Sequence, residues 1–144
     1  MLNVRRWFDR NLARAKRSGV DVDNLPEIVI KLNGKRESPA NCWNATQLYF
    51  GHMKEVQHVY EEEMNQWLWR YTTPTEDRKR SVNTILVFRL RGILIHTAVF
   101  VGPNYMWHKY GCNGHWEFIS YENLLLAYEH DRLEYRTLKS DLRD

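Results

Sequence analysis

Three residues in this chain have the types and spacing that could activate a thiol: Cys42, His96 and His108. Cys42 follows Ser38-Pro39-Ala40-Asn41, a helix-start signal in which Ser38 or Asn41 can cap and Pro39 suits the first turn. With Asn41 as the cap, the thiol stands in the first helical turn. Unpaired backbone N–H groups and the positive end of the helix dipole favour a thiolate there. The thiolate is the attacking form of cysteine, so the placement is that of a nucleophile. A cysteine is also a common small core residue, and helix position alone does not separate the two readings.

His96 sharpens the choice. It interrupts a strand that is otherwise almost wholly apolar, Ile93-Leu94-Ile95 on one side and Thr97-Ala98-Val99-Phe100-Val101 on the other. A ring buried there must find a partner, whether a backbone carbonyl or a thiol for which it acts as general base. His108 lies on the next strand. A three-residue turn over Gly102-Pro103-Asn104 pairs Val101 with Tyr105 and sets His108 opposite Ala98, on the face of His96 and one diagonal step of about 7–8 Å away. A turn one residue shorter or longer would put the two histidines on opposite faces. In the first register His108 can accept a hydrogen bond from the His96 ring and fix its tautomer.

A cysteine at a helix start, then His-Thr-Ala-Val-Phe-Val-Gly (96–102), then Tyr-Met-Trp-His (105–108), resembles the papain-like NlpC-type peptidase and amidase superfamily. The resemblance spans roughly residues 38–109. It implies a papain-like α+β fold and cleavage of a peptide or amide bond, in many relatives a cell-wall one. It also implies Cys42 as nucleophile, His96 as base, His108 as orienting residue, and the Cys42 backbone N–H as an oxyanion donor. No cofactor is implied. Where such proteins carry an acidic residue before the cysteine and small ones after it, this chain has Asn41, Trp43 and Asn44. These three are expected to line the substrate side, with Trp43 narrowing it. The same geometry serves thioesterases and acyltransferases, and a fold of this kind can also bind without cleaving.

Two other readings use some of the same residues. His108, Cys112 and His115, with His96 as a fourth ligand, contain zinc-ligand residue types, although His-x-x-x-Cys-x-x-His is not a common zinc spacing. Cys112 is also the next candidate nucleophile after Cys42. Six Trp and eight Tyr beside many Arg and Lys could form stacking platforms for a glycan or a single strand. Most large aromatics are core, however, and only Trp67 and Trp69 cannot both face inward from one helix.

The elements that must position these residues follow from periodicity. Residues 3–17 read as a basic amphipathic helix, with Phe8, Leu12 and Ala15 on one side and Trp7 or Phe8 docking it. Residues 27–32 read as a short strand, and Asn33-Gly34 as a tight turn. A helix from Cys42 toward Gly51 and a second over residues 54–71 come next, then a polar loop over 72–83. Strands are predicted at 84–90, 93–101, 105–109 and 116–119, and a last short helix at 122–128. Helices first and an antiparallel meander afterwards predict an α+β class. The expected organisation is one domain, with a catalytic core over 38–128 preceded by the helix and connection of 1–26.

Length and composition bound the function classes. The 144 residues, 43% hydrophobic, suffice for one packed core. A net charge of +3 does not argue for nucleic acid. No stretch has the roughly 20 apolar residues of a membrane span, and no signal-peptide core follows Arg5 and Arg6. The expectation is a cytoplasmic protein, or one exported by another route, with both cysteines reduced. The sequence leaves the oligomeric state open.

Overall fold

The computed structural model describes residues 2–36 and 40–139, so Ser38 and Pro39 of the predicted helix start lie outside the described residues. Within them the chain is α+β, with five helices and one six-stranded antiparallel sheet. The helices are α1 (Leu2–Arg17), α2 (Glu27–Leu32), α3 (Cys42–Tyr49), α4 (Glu61–Tyr71) and α5 (Tyr121–Ala127). The strands are β1 (Thr72–Thr75), β2 (Ile85–Leu90), β3 (Ile93–Gly102), β4 (Tyr105–Lys109), β5 (Trp116–Ser120) and β6 (Arg132–Leu138), arranged β1-β6-β2-β3-β4-β5. Among the described residues no helix is long and apolar enough to cross a membrane.

The meander is the part most directly written in residue types. Ile85 to Phe88 and Thr97 to Val101 are buried because both faces of the central strands are covered. Ile85, Val87 and Leu94 pack on Met64, Trp67 and Leu68 of α4, while Val99, Val101, Tyr105 and Trp107 meet α2 and α3. On the other face Leu86, Phe88, Ala98, Phe100 and Met106 surround Leu124 of α5. Arg91 and Gly92 both have positive φ, 53° and 80°, the backbone of a tight two-residue hairpin turn between Leu90 and Ile93.

Four elements differ from the expectations. Residues 27–32 form helix α2, not a strand. The β-branched run Ile28-Val29-Ile30 suits either, but Val29 and Leu32 stand three apart and bury together against α3. The helix expected over 54–71 begins only at Glu61, because Asn44 and Asn41 hold the preceding segment extended. Asn44 Nδ2 donates to Glu55 O at 3.0 Å, Gln57 N donates to Asn44 Oδ1 at 3.2 Å, and Asn41 Nδ2 donates to Val59 O at 2.8 Å. The loop expected over 72–83 contains strand β1, and β6 follows the last helix, inserting between β1 and β2. The sheet therefore extends past the 38–128 core predicted above.

The N-terminal helix is docked more specifically than amphipathicity implies. Asn11 Nδ2 donates to Phe118 O at 2.8 Å and Phe118 N donates back to Asn11 Oδ1 at 3.0 Å. One side chain thereby satisfies a rung of the edge strand β5. Trp7 lies against the His115 ring, centroids 4.8 Å apart.

Candidate functional site

The β3–β4 hairpin decides whether the two histidines meet. Tyr105 pairs with Gly102, not with Val101 as expected, across the two-residue turn Pro103-Asn104. A bulge between Phe100 and Gly102 then leaves Val101 as the extra residue, and Phe100 faces Met106 and Val99 faces Trp107. Continuing that register sets Ala98 at the level of His108, so His96 and His108 share the α5 face of the sheet. Their rings meet with His96 Nε2 2.8 Å from His108 Nδ1.

The chain of contacts continues to a residue that the sequence did not single out. On β5, Glu117 pairs with His108, and its Oε1 lies 3.1 Å from His108 Nε2. A carboxylate only accepts, so with both rings neutral the tautomers follow. His108 Nε2–H donates to Glu117, His108 Nδ1 keeps a lone pair, and His96 Nε2–H donates to it. The lone pair of His96 is left on Nδ1, which makes no hydrogen bond to another described residue. Alternation in Trp116-Glu117-Phe118 places Glu117 opposite Trp116 and Phe118, but only the register across the 110–115 loop shows that it reaches His108.

Cys42 approaches from the other side of the sheet. Asn41 is the observed cap of α3, with Asn44 N donating to its Oδ1 at 3.1 Å. Phe100 exchanges backbone hydrogen bonds with Asn83 and Thr84 ahead of β2. By alternation the Thr97 N–H then points toward β4. The β3–β4 pairing ends at Val99 and Trp107, and beyond it the backbone of Thr97, of Trp43 and of Cys42 itself faces the Cys42 sulfur and favours its charged form. Thr46 Oγ1 and Thr97 Oγ1, 2.7 Å apart, tie α3 to β3 below it. Among the described residues no hydrogen bond joins the thiol to either histidine.

The electrostatics correct the thiolate expectation. Burial raises the Cys42 thiol from 9.0 to about 12, against the opposing pull of those three backbone groups. A helix N-terminus contributes about 0.3–1 kcal/mol, less than the roughly 1.4 kcal/mol of a single pKa unit, so burial wins. His96 is held well below 6.5, first by burial and then by neighbouring His108. At rest the Cys42 thiol and the His96 imidazole are therefore both neutral.

Tyr128, just past α5, closes the α5 face. Its ring stacks on His96 at 3.9 Å and 16°, and its buried hydroxyl has no hydrogen-bond partner among the described residues. Burial, then the charge that Cys42 carries when ionised, pushes the phenol up. The sequence carried no signal for Tyr128, since only the return of the chain toward β6 sets it over the histidines.

The other predicted residues divide. Asn41 and Asn44 direct their amides to the protein's own backbone, whereas Trp43 is half-buried and its indole N–H has no partner among the described residues. The histidines and cysteine of the zinc reading are not gathered. His96 and His108 contact each other, Cys112 contacts His58, and His115 packs on Trp7. Among the described residues no group of three or more His, Cys, Asp or Glu is placed to hold a metal. Trp67 is buried and Trp69 is 80% exposed, beside an open groove of about 640 Å³ lined also by Glu62, Asn65 and Arg70.

No protein-family model matches this chain, and no curated protein matches it significantly.

Proposed function

We propose that the chain is a cysteine-dependent amide hydrolase of papain-like kind, acting on a peptide or other amide bond, with Cys42 as nucleophile and His96 as base. The observation that carries this reading is the relay Glu117–His108–His96, which leaves a lone pair on His96 Nδ1, on the residue of β3 next to Thr97, whose backbone faces the Cys42 sulfur. His108 is held on both sides, by His96 and by Glu117, where burial alone requires one partner. Three titratable groups in line, oriented by a carboxylate at the far end, match the way a general base is prepared.

Because both groups rest neutral, the thiol loses its proton to His96 Nδ1 as the sulfur attacks the carbonyl carbon. The backbone N–H groups of Cys42 and Trp43, which surround the sulfur, are the donors for the developing oxyanion. The amide C–N bond then breaks, and His96 returns the proton to the leaving amine. Water, with His96 again as base, releases the acid from the acyl-Cys42 thioester. His108 orients and Glu117 holds His108. Trp43 borders the approach, with Asn41 and Asn44 shaping it from behind. The buried thiol and the Tyr128 ring over His96 also favour a second reading, a module of the same fold that binds without cleaving.

The test is acylation by an activated acetate ester, followed by peptide mapping. The hydrolase reading expects an acetyl group on Cys42 that turns over, is absent from Cys42→Ala, and forms at least about 100-fold more slowly in His96→Gln. Acetylation of Cys42 unchanged by His96→Gln would sink it, and no acetylation of Cys42 would favour the binding module. Matched amide and thioester substrates then separate hydrolysis of amides from a thioesterase.

A further inference from the structure

We propose that Cys112 and His58 form a second nucleophile–base pair, which makes Cys112 a site of covalent oxidation by hydroperoxides. The inference does not depend on the hydrolase reading. Cys112 Sγ lies 3.8 Å from His58 Nδ1, and Cys112 is partly exposed where Cys42 is buried.

The hydrogen bonds around Asn41 assign the roles in this pair. Its Oδ1 accepts from Asn44 N, so the other end of the amide is the NH2 group, with one hydrogen directed to Val59 O at 2.8 Å and the other to His58 Nδ1 at 3.3 Å. A donor facing Nδ1 requires the lone pair there and the ring hydrogen on Nε2. The Cys112 S–H therefore faces an acceptor, and it shares the single lone pair of that nitrogen with the Asn41 amide. The Tyr60 ring packs edge-on against His58, centroids 4.7 Å apart.

The loop bearing Cys112 is held. Buried Lys109 donates from Nζ to Gly111 O and to Cys112 O, each at 2.7 Å, and Arg36 Nε donates to Asn113 O at 3.0 Å. Gly111 has φ +68°, and a Cβ at Gly114 would stand 1.9 Å from Tyr110 O. A buried ammonium clamping the carbonyls of a loop that admits no side chain at 114 fixes where the sulfur sits. A thiol both held against a base and open to solvent has the setting in which cysteines react.

In the step proposed, the Asn41 N–H lets go of His58 Nδ1 and the thiol proton passes to that nitrogen as the sulfur attacks a peroxide oxygen. The S–O bond forms, the O–O bond breaks, and the departing hydroxide takes the proton from His58 to leave as water. Sulfur is oxidised to the sulfenic acid and the peroxide is reduced.

The experiment treats the full chain with hydrogen peroxide, traps sulfenic acid with dimedone and maps the adduct by mass spectrometry. The expected result is an adduct on Cys112 and not on Cys42. Its rate should fall about tenfold or more in folded His58→Gln and match the wild type when both are unfolded in urea. An equal rate in the folded variant, or Cys42 reacting first, overturns the proposal. Should His58→Gln lack a cooperative unfolding transition, nitrogen NMR of the wild type decides. The hydrogen on His58 Nε2 supports the proposal, and a hydrogen on Nδ1 overturns it.

Discussion

His96 and His108 touch because a single residue, Val101, is bulged out of the β3–β4 pairing. Without that bulge the register of β4 would slip by one and His108 would point to the α3 face. With it, the two rings align with Glu117 on the third strand.

Glu117 should therefore act on His96 through His108 without touching substrate. Glu117→Gln keeps an acceptor for His108 Nε2–H and should alter kcat/KM only a few-fold, whereas Glu117→Ala frees the tautomers and should lower it by about tenfold or more. The readout specific to positioning is the tautomer of His108 by nitrogen NMR. A Glu117→Ala protein with unchanged kcat/KM and tautomer would contradict the relay.

Stability should fall on the acid side through His96. Its folded pKa lies well below 6.5, so as the pH drops below about 6.5 the unfolded chain binds a proton that the folded chain refuses. The contribution is complete above the unfolded value and declines below it, by about 1.4 kcal/mol per pH unit for one such proton. His52 and His115 are shifted the same way, so the informative quantity is the difference between proteins. Urea unfolding from about pH 4 to pH 8 should show a shallower acid loss in His96→Gln than in the wild type.

Cys42 predicts the opposite limb. Its folded pKa is raised to about 12, so its contribution to stability is complete below pH 9.0 and is lost as the pH climbs from there toward 12. Burial also makes the resting thiol unreactive. Iodoacetamide at mildly alkaline pH should alkylate Cys42 more slowly in the native protein than in urea, and faster labelling in the native state would show that the fold stabilises the thiolate.

Asn44 should matter to stability out of proportion to its size. Fully buried, it satisfies Glu55 O and Gln57 N, which no neighbouring strand reaches. Asn44→Ala leaves both unpaired and should cost about 2–3 kcal/mol, visible as a lowered urea midpoint with an unchanged slope. A loss below about 0.5 kcal/mol would show that water replaces the amide.

Local residue types determined a good deal here. Alternation and β-branching over 84–120 specify four strands close to their observed bounds, Arg91-Gly92 specifies a hairpin turn, and Asn41, one of the two expected caps, caps α3. Each depends on neighbours within a few positions, where spacing and backbone preference act directly. The same locality explains why residues 27–32 and 54–60 misled. Ile28-Val29-Ile30 suits a strand as well as a helix, and Val56 and Tyr60 have helical spacing, but burial of Leu32 and the amides of Asn41 and Asn44 override both.

What the tertiary structure alone decided lies at long range. The β6 strand is half-buried, and although Leu133, Tyr135 and Thr137 alternate with Arg132, Glu134 and Arg136, its place in the sheet is set by pairing between β1 and β2. Glu117 and Tyr128 come to the histidines from beyond the resembling stretch, and His58 comes to Cys112 across 54 positions. The state of Cys42 was decided there too. Its position in the chain predicts an ionised sulfur through a short-range dipole, but its burial beside β3 removes the water that would solvate the charge, and desolvation is the larger effect.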